Sequence, residues 1–266
     1  MSPQFLGVEL AAWRPEHGPR RIADFLDHTL LRPESSRADA LALCAEAQAH
    51  RFAAVCLNPY WVPLAAEALE GSGVRVATVC GFPTGASCWR AKAFEAAEVV
   101  RRGAVEVDMV AALGRIKSDD WGYVTDDIRA VVEAAAGTVV KVIIESAALT
   151  PEEIVRACEA ARSAGARFVK TSTGFHPSGG ATVEAVALMR RTVGDDLGVK
   201  ASGGVRDCAT ALAMLAAGAS RIGTSSGVAL ATCLGPEPLP LAELLANPER
   251  HAGICRTSRE PGAGSR

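Results

Sequence analysis

The chain has no C-x-x-C pair and no H-x-x-x-H pair, although it carries eight cysteines and five histidines. The first absence removes the usual redox and zinc-ribbon patterns, and the second counts against a zinc site of helical spacing. A basic block is missing too. With 28 lysines and arginines against 30 aspartates and glutamates the net charge is −2. Proteins that hold nucleic acid or a membrane surface by charge carry a basic patch, so neither is an expected partner. No apolar run approaches the ~20 residues of a membrane span. The opening "MSPQFLGVELAAWRPEHGPRR" has no positive start and places Glu9 inside its apolar part, so it does not read as a signal peptide. The expected location is the cytoplasm, with the cysteines reduced and in the core.

What is present is a repeated alternation. Apolar, β-rich runs ("RIADFLDHT", "FAAVCLN", "RVATVCG", "VEVDMVA", "VVKVIIES", "RFVKTST", "GVKAS" and "SRIGTS") are separated by Ala-rich amphipathic segments such as "SRADALALCAEAQAH" and "PEEIVRACEAARSAG". Strands apolar on both faces belong to a covered parallel sheet. Eight such units in about 210 residues match a single (β/α)8 TIM barrel. A doubly wound open sheet would more often open with a glycine-rich turn, whereas the first strand here runs into "DHTLLRPESS". The expected organisation is an N-terminal extension over 1–21, a barrel over 22–246 and a polar, flexible tail over 247–266.

Helix ends sharpen the units. Ser35 or Ser36, Thr150 and Asp207 stand at N-cap positions, and Gly103, Gly165 and Gly218 stand at C-cap positions. Five residues on from each glycine come Asp108, Lys170 and Gly223, and five on from Arg51, at the corresponding position before the second strand, comes Cys56. Alternate strands of a barrel fill the same interior layer. The spacing therefore predicts that Asp108 and Lys170 face each other near the C-terminal rim, where barrel active sites lie.

Two lysines, Lys170 in "FVKTSTGFHP" and Lys200 in "GVKASGG", end apolar strands. A lysine with an ordinary pKa near 10.4 is a spectator at neutral pH. Burial and a neighbouring ammonium both favour the free amine, and a drop of about three units corresponds to roughly 4 kcal/mol. A free amine can attack a carbonyl and form a Schiff base, an electron sink for making or breaking C–C bonds, with Asp108 handling protons. The alternative for each lysine is a structural ion pair or a place at the rim in solvent. Glycine-rich "ASGGVRD" and "IGTSSG" leave the last two strands, where barrels commonly bind phosphate. Tight turns alone would also explain either loop.

The strings "DHTLL" at 27–31, "EVDMV" at 106–110, "VKVIIE" at 140–145, "KTSTGF" at 170–175, "GGAT" at 179–182, "VKASGGVR" at 199–206 and "RIGTSSG" at 221–227 resemble the deoxyribose-phosphate aldolase family. The likeness runs from about residue 22 to 230. It implies a metal-free, cofactor-free class I aldolase that reversibly cleaves 2-deoxy-D-ribose 5-phosphate to D-glyceraldehyde 3-phosphate and acetaldehyde, within deoxyribonucleotide catabolism. It implies Lys170 as the Schiff-base lysine, Lys200 as the neighbour that assists its deprotonation, and Asp108 in the proton relay. It further implies Gly174, Gly203, Gly204, Ser225 and Ser226 around the phosphate. Cys56 matches a cysteine beside the substrate pocket, and Asp27 and Thr173 join the expected substrate contacts. A dimer or tetramer is the assembly it implies. "MVAALGRIKS", "ESAAL" and "GFPTGA" depart from common family strings, and the chain ends in arginine where some members have a tyrosine. Other Schiff-base barrels share the chemistry without these strings, and a non-catalytic phosphate-binding barrel would not need the lysine pair.

Overall fold

The structure is a computed structural model that describes residues 10–12, 20–232 and 241–246. Eight parallel strands close into a barrel in chain order. They are β1 (Leu26–Leu30), β2 (Ala54–Leu57), β3 (Arg75–Cys80), β4 (Glu106–Val110), β5 (Val139–Ile143), β6 (Phe168–Lys170), β7 (Gly198–Ser202) and β8 (Arg221–Thr224). Around them lie α1 (Arg37–His50), α2 (Val62–Ala68), α3 (Trp89–Arg101), α4 (Leu113–Lys117) and α5 (Trp121–Ala134). The ring continues with α6 (Pro151–Ser163), α7 (Val183–Val193), α8 (Cys208–Ala216), α9 (Gly227–Thr232) and α10 (Leu241–Ala246). The expected (β/α)8 barrel is therefore the fold. Among the described residues no helix is long and apolar enough to cross a membrane. The tail expected over 247–266, and most of the extension expected over 1–21, lie outside the described residues.

The units form where local chemistry places them. Ser36 and Thr150 each make a reciprocal capping box with the acidic residue three positions on, Asp39 and Glu153, and Asp207 caps α8 through Thr210 N–H. Gly103, Gly165 and Gly218 turn the chain with positive φ after their helices. Arg51 does the same job as a non-glycine, with φ 55°. The valine-rich strands are buried on both faces, as a covered parallel sheet requires.

Several elements differ from the sequence reading. The first strand does not begin at Arg21. Residues Ile22–Phe25 form a 3-10 turn, because the Asp24 carboxylate accepts from both Arg21 N–H and the Arg21 guanidinium, and the strand starts at Leu26. The "RFVKTST" strand stops at Lys170, after which Thr171 Oγ1 donates to the Ser202 carbonyl at the end of β7 and Thr173 N–H donates to Glu145. Cys88 is exposed at the N-terminus of α3, whereas Cys44, Cys56, Cys80, Cys158 and Cys208 are buried free thiols. Cys233 and Cys255 lie outside the described residues.

Outside the barrel wall, α3 and α5 bury a further lysine, Lys92. Lys92 Nζ donates to Asp127 Oδ2 at 2.7 Å and to the Val110 carbonyl, at the end of β4, at 2.9 Å. Both side chains are fully buried. Removing one partner strands a charge, whereas replacing both with apolar groups does not. Lys92→Met is expected to lower stability by about 3–5 kcal/mol in urea denaturation, and adding Asp127→Leu is expected to recover most of that loss.

Candidate active site

Strand parity decides what fills the barrel. The register pairs Asp108 with Lys141, Lys170 with Lys200, and Gly223 with Asp27. On β2 and β3 the interior is apolar: Ala54, Cys56, Ala77 and Val79 cluster with Leu31, and Phe82 packs against them. On the remaining strands it is charged. Asp27, Glu106, Asp108, Lys141 and Lys200 are completely buried, and Arg221 nearly so.

These six groups close into a ring of alternating sign. Glu106 meets Lys141 at 2.5 Å, and Lys141 meets Asp108 Oδ1 at 2.8 Å. Asp108 Oδ2 accepts from Lys200 at 2.7 Å, and Lys200 also bonds Asp27 Oδ2. Asp27 Oδ1 accepts from Arg221 at 2.7 Å, and Arg221 returns to Glu106 at 3.2 Å. Each carboxylate thus has a cation on both sides, which is how buried charges are tolerated. Arg75, partly exposed, adds a contact of 2.8 Å to Glu106.

Lys170 is the charge left over. Its Nζ donates to Asp108 Oδ2 at 2.8 Å, the same oxygen that Lys200 uses. The ring is neutral without it, so a protonated Lys170 adds an unbalanced buried charge. Burial pushes its pKa down, and the Lys200 ammonium pushes the same way, while a shared Asp108 only partly opposes them. For Lys200, burial also favours the neutral form, but Asp108 and Asp27 together outweigh it and the pKa rises. Lys141 rises likewise, burial being overcome by Asp108 and Glu106. Asp108 lies well below the usual carboxylate range, because Lys141, Lys170 and Lys200 overcome the opposing effect of burial. Cys56 is a buried thiol pushed up to about 11, first by burial and then by Asp108.

A cleft of about 690 Å³ opens at the C-terminal ends of the strands, over β1 and β6–β8. Lys170, Thr173, Gly174, Gly203, Gly204 and Ser225 all line it. Asp108 and Lys200 are fully buried and do not line it, and Asp108 bonds Lys170, which does. Of the expected substrate contacts, three do not line it. Asp27 and Cys56 are fully buried, the first as a member of the ring and the second in the apolar half of the interior. Ser226 is half-buried beside it, its backbone N–H donating to Thr224 Oγ1 at 2.9 Å. His28 does line the cleft, and its Nε2 lies 2.6 Å from Glu46 Oε2.

The glycine wall is a backbone-to-backbone contact. A Cβ on Gly180 would sit 2.1 Å from the Gly203 carbonyl oxygen, so the loop after β6 and the loop after β7 can touch only with glycine there. Ala181 N–H locks the pair by donating to the Ser202 and Gly203 carbonyls at 3.1 and 3.0 Å. Gly203 and Gly204 have φ of 84° and 86°.

Sequence reasoning missed Lys141, Glu106 and Arg221, which complete the ring, and Arg206, which lines the cleft beside Gly203 and Gly204. Parity would have found two of these: Glu106 lies two residues before Asp108, and Arg221 two before Gly223, on the same strand faces. Among the described residues no group of three or more histidine, cysteine, aspartate or glutamate side chains could hold a metal ion.

A barrel that gathers lysines and a carboxylate at one cleft has the groups that carbonyl chemistry on an amine needs, and the comparisons supply the family. The chain matches the DeoC/LacD family aldolase profile over residues 22–232 and belongs to that family; it is an aldolase. It is 54% identical to the deoxyribose-phosphate aldolase of Mannheimia succiniciproducens over 212 residues, covering 80% of this chain and 94% of the relative. It is 56% identical to that of Streptococcus sanguinis over 210 residues, covering 79% and 95%. Among solved structures, the aldolase QR15 superposes with a TM-score of 0.76 at 38% identity, covering 85% of this chain and 96% of that one. A deoxyribose phosphate aldolase from Aeropyrum pernix, described as having a unique tetrameric structure, superposes with a TM-score of 0.74 at 34% identity, covering 79% and 89%.

Removing one carboxylate from the ring leaves its cations facing each other in the interior. Asp108→Asn is expected to cost about 3–5 kcal/mol in urea denaturation at neutral pH. The pH dependence has a definite sign. Because the folded-state pKa of Asp108 is depressed, its contribution is complete above the unfolded value of 3.8 and is lost as pH falls from there toward the folded value. The stability difference between wild type and Asp108→Asn is therefore expected to persist from pH 7 to pH 4 and to shrink below it.

Proposed function

We propose that the protein is a class I aldolase that reversibly cleaves 2-deoxy-D-ribose 5-phosphate into D-glyceraldehyde 3-phosphate and acetaldehyde through a Schiff base on Lys170. The observation that carries this reading is the singling out of Lys170. It is the one lysine lining the cleft, and it has the lowered pKa among three lysines that share Asp108. Resemblance to curated deoxyribose-phosphate aldolases over about four fifths of the chain supports the substrate.

The neutral Lys170 amine attacks the C1 aldehyde carbon of the open-chain sugar, and loss of water leaves a protonated imine. A base removes the proton of the C3 hydroxyl. The C2–C3 bond breaks, its electron pair moves into the imine as an enamine, and glyceraldehyde 3-phosphate departs. Protonation of C2 and hydrolysis then release acetaldehyde and restore the amine. Asp108 touches Lys170 and Lys200 through one oxygen, so a proton leaving Lys170 has an acceptor in hydrogen-bond reach and Lys200 stays charged beside it. The charged Lys200 also opposes reprotonation of Lys170 while the imine forms.

The phosphate is read at the glycine wall. Gly174, Gly203, Gly204 and Ser225 bring backbone and hydroxyl groups to the cleft, and Arg206 supplies a positive charge on the same side. The apolar half of the barrel lies opposite. A homo-oligomer is proposed, supported by the tetrameric Aeropyrum pernix relative, working in the cytoplasm on a small sugar phosphate with no metal or cofactor.

Incubation with acetaldehyde and borohydride, followed by peptide mass spectrometry, is expected to place a single ethyl group on Lys170. An unmodified Lys170 in folded protein, or full activity in Lys170→Ala, contradicts the mechanism. The pH dependence is a second test. The rate of imine formation should rise with pH and level off below the ordinary lysine value of 10.5, because Lys170 is the lowered group. Lys200→Met removes the repelling ammonium and leaves Asp108 more fully to Lys170, so its rising limb is expected at higher pH than in wild type. An unmoved limb would detach Lys200 from the tuning of Lys170.

A further inference from the structure

We infer that Glu145 is a positioning residue that fixes the turn at Thr173–Gly174, and with it the wall of the cleft against which the substrate phosphate docks. The inference rests on the reading of that wall as the phosphate site. β5 ends at Ile143 and β6 at Lys170, yet the two chains stay zipped beyond their strands. Ile144 N–H donates to the Lys170 carbonyl at 3.0 Å, and Ser146 N–H to the Thr171 carbonyl at 2.8 Å. The next rung is made by a side chain. Thr173 N–H donates to Glu145 Oε1 at 2.8 Å.

Glu145 makes this bond from a left-handed backbone, φ 54° and ψ 55°, a conformation unfavourable for a residue with a Cβ. Its side chain is buried, 2% exposed, and does not line the cleft, whereas Thr173 and Gly174 do. On the opposite flank, β7 holds the same segment. Thr171 Oγ1 donates to the Ser202 carbonyl at 3.0 Å, and Ser202 Oγ to the Ser172 carbonyl at 2.6 Å. The turn is therefore gripped from β7 on one side and by Glu145 on the other. Among the described residues, Glu145 Oε2 has no hydrogen-bond partner, so Thr173 N–H is the protein group that this carboxylate holds. No bond links Glu145 to Lys170, which separates its action from the amine chemistry. Buried unpaired oxygens are otherwise costly, and a strained backbone around a single useful bond marks a group kept in place for geometry.

The test compares Glu145→Gly, Glu145→Asp and Glu145→Gln with wild type, using 2-deoxyribose 5-phosphate and unphosphorylated 2-deoxyribose. Glycine accepts the left-handed backbone, so Glu145→Gly removes the carboxylate without adding strain. Aspartate keeps the charge but shortens the reach, and glutamine keeps the acceptor without the charge. The expected result is a KM for the phosphorylated sugar raised about tenfold in the glycine and aspartate variants, the size of one lost hydrogen bond. Their kcat should stay within about twofold of wild type, as should turnover of the unphosphorylated sugar, and Glu145→Gln should remain close to wild type on both. Circular dichroism checks that each variant is folded. An unchanged KM in folded Glu145→Gly and Glu145→Asp, an equal loss of kcat on both sugars, or a failure of glutamine to rescue overturns the inference. Wild-type protein that does not cleave the phosphorylated sugar at all would instead overturn the functional reading beneath it.

Discussion

The structure depends on a closed ring of alternating charges inside the barrel: Glu106, Lys141, Asp108, Lys200, Asp27 and Arg221. Isolated, any one of these groups would be too costly to bury. Closed into a circuit, each carboxylate has two cations and each cation two carboxylates, and the circuit is neutral. That neutrality gives Lys170 its character. It hangs from the ring by Asp108, and its own charge has no counterpart. Burial favours the neutral form of all three lysines; paired carboxylates outweigh it and raise Lys141 and Lys200, whereas Lys170, with only a shared Asp108, is lowered.

Barrel geometry turns this electrostatic arrangement into a site. Strand parity sends Asp108, Lys170 and Lys200 inward, and the short β6 ends on Lys170, so the amine reaches the cleft while its tuning partners are buried and do not line it. The loops after β6 and β7 then meet through glycine at 180 and 203, which brings backbone groups to the same cleft. The proposed nucleophile, its proposed proton acceptor and a polar wall come from separate strands that the closed sheet holds in fixed register. A sequence likeness to deoxyribose-phosphate aldolases is what a barrel of this interior would be expected to carry.

Much of this was legible in the sequence, and the rest was hidden for identifiable reasons. Cap glycines at 103 and 165 pointed to Asp108 and Lys170 facing each other, and the two bond at 2.8 Å, although Asp108 lies deeper than the rim. The eight strands were readable because apolar β-runs alternated with capped helices. The ring as a whole was not read, because Lys141 and Arg221 look like ordinary charges until parity is applied to every strand. The first strand began late because Arg21 and Asp24 bond locally, which periodicity does not register. Cys88 was expected in the core from composition, but it precedes a helix at the surface. Asp27 and Cys56 face the interior as barrel parity requires, yet they lie too deep to line the cleft.

The central claim is that Lys170 gives up its proton more readily than an ordinary lysine because a charge-balanced ring surrounds it. NMR titration of isotope-labelled lysine ε-groups tests this directly, with Lys170, Lys200 and Lys141 assigned through single Lys→Met variants. The account predicts that Lys170 loses its proton below the ordinary lysine value of 10.5, while Lys141 and Lys200 remain protonated above it. Lys170 titrating at or above that value, or Lys200 giving up its proton first, would contradict it.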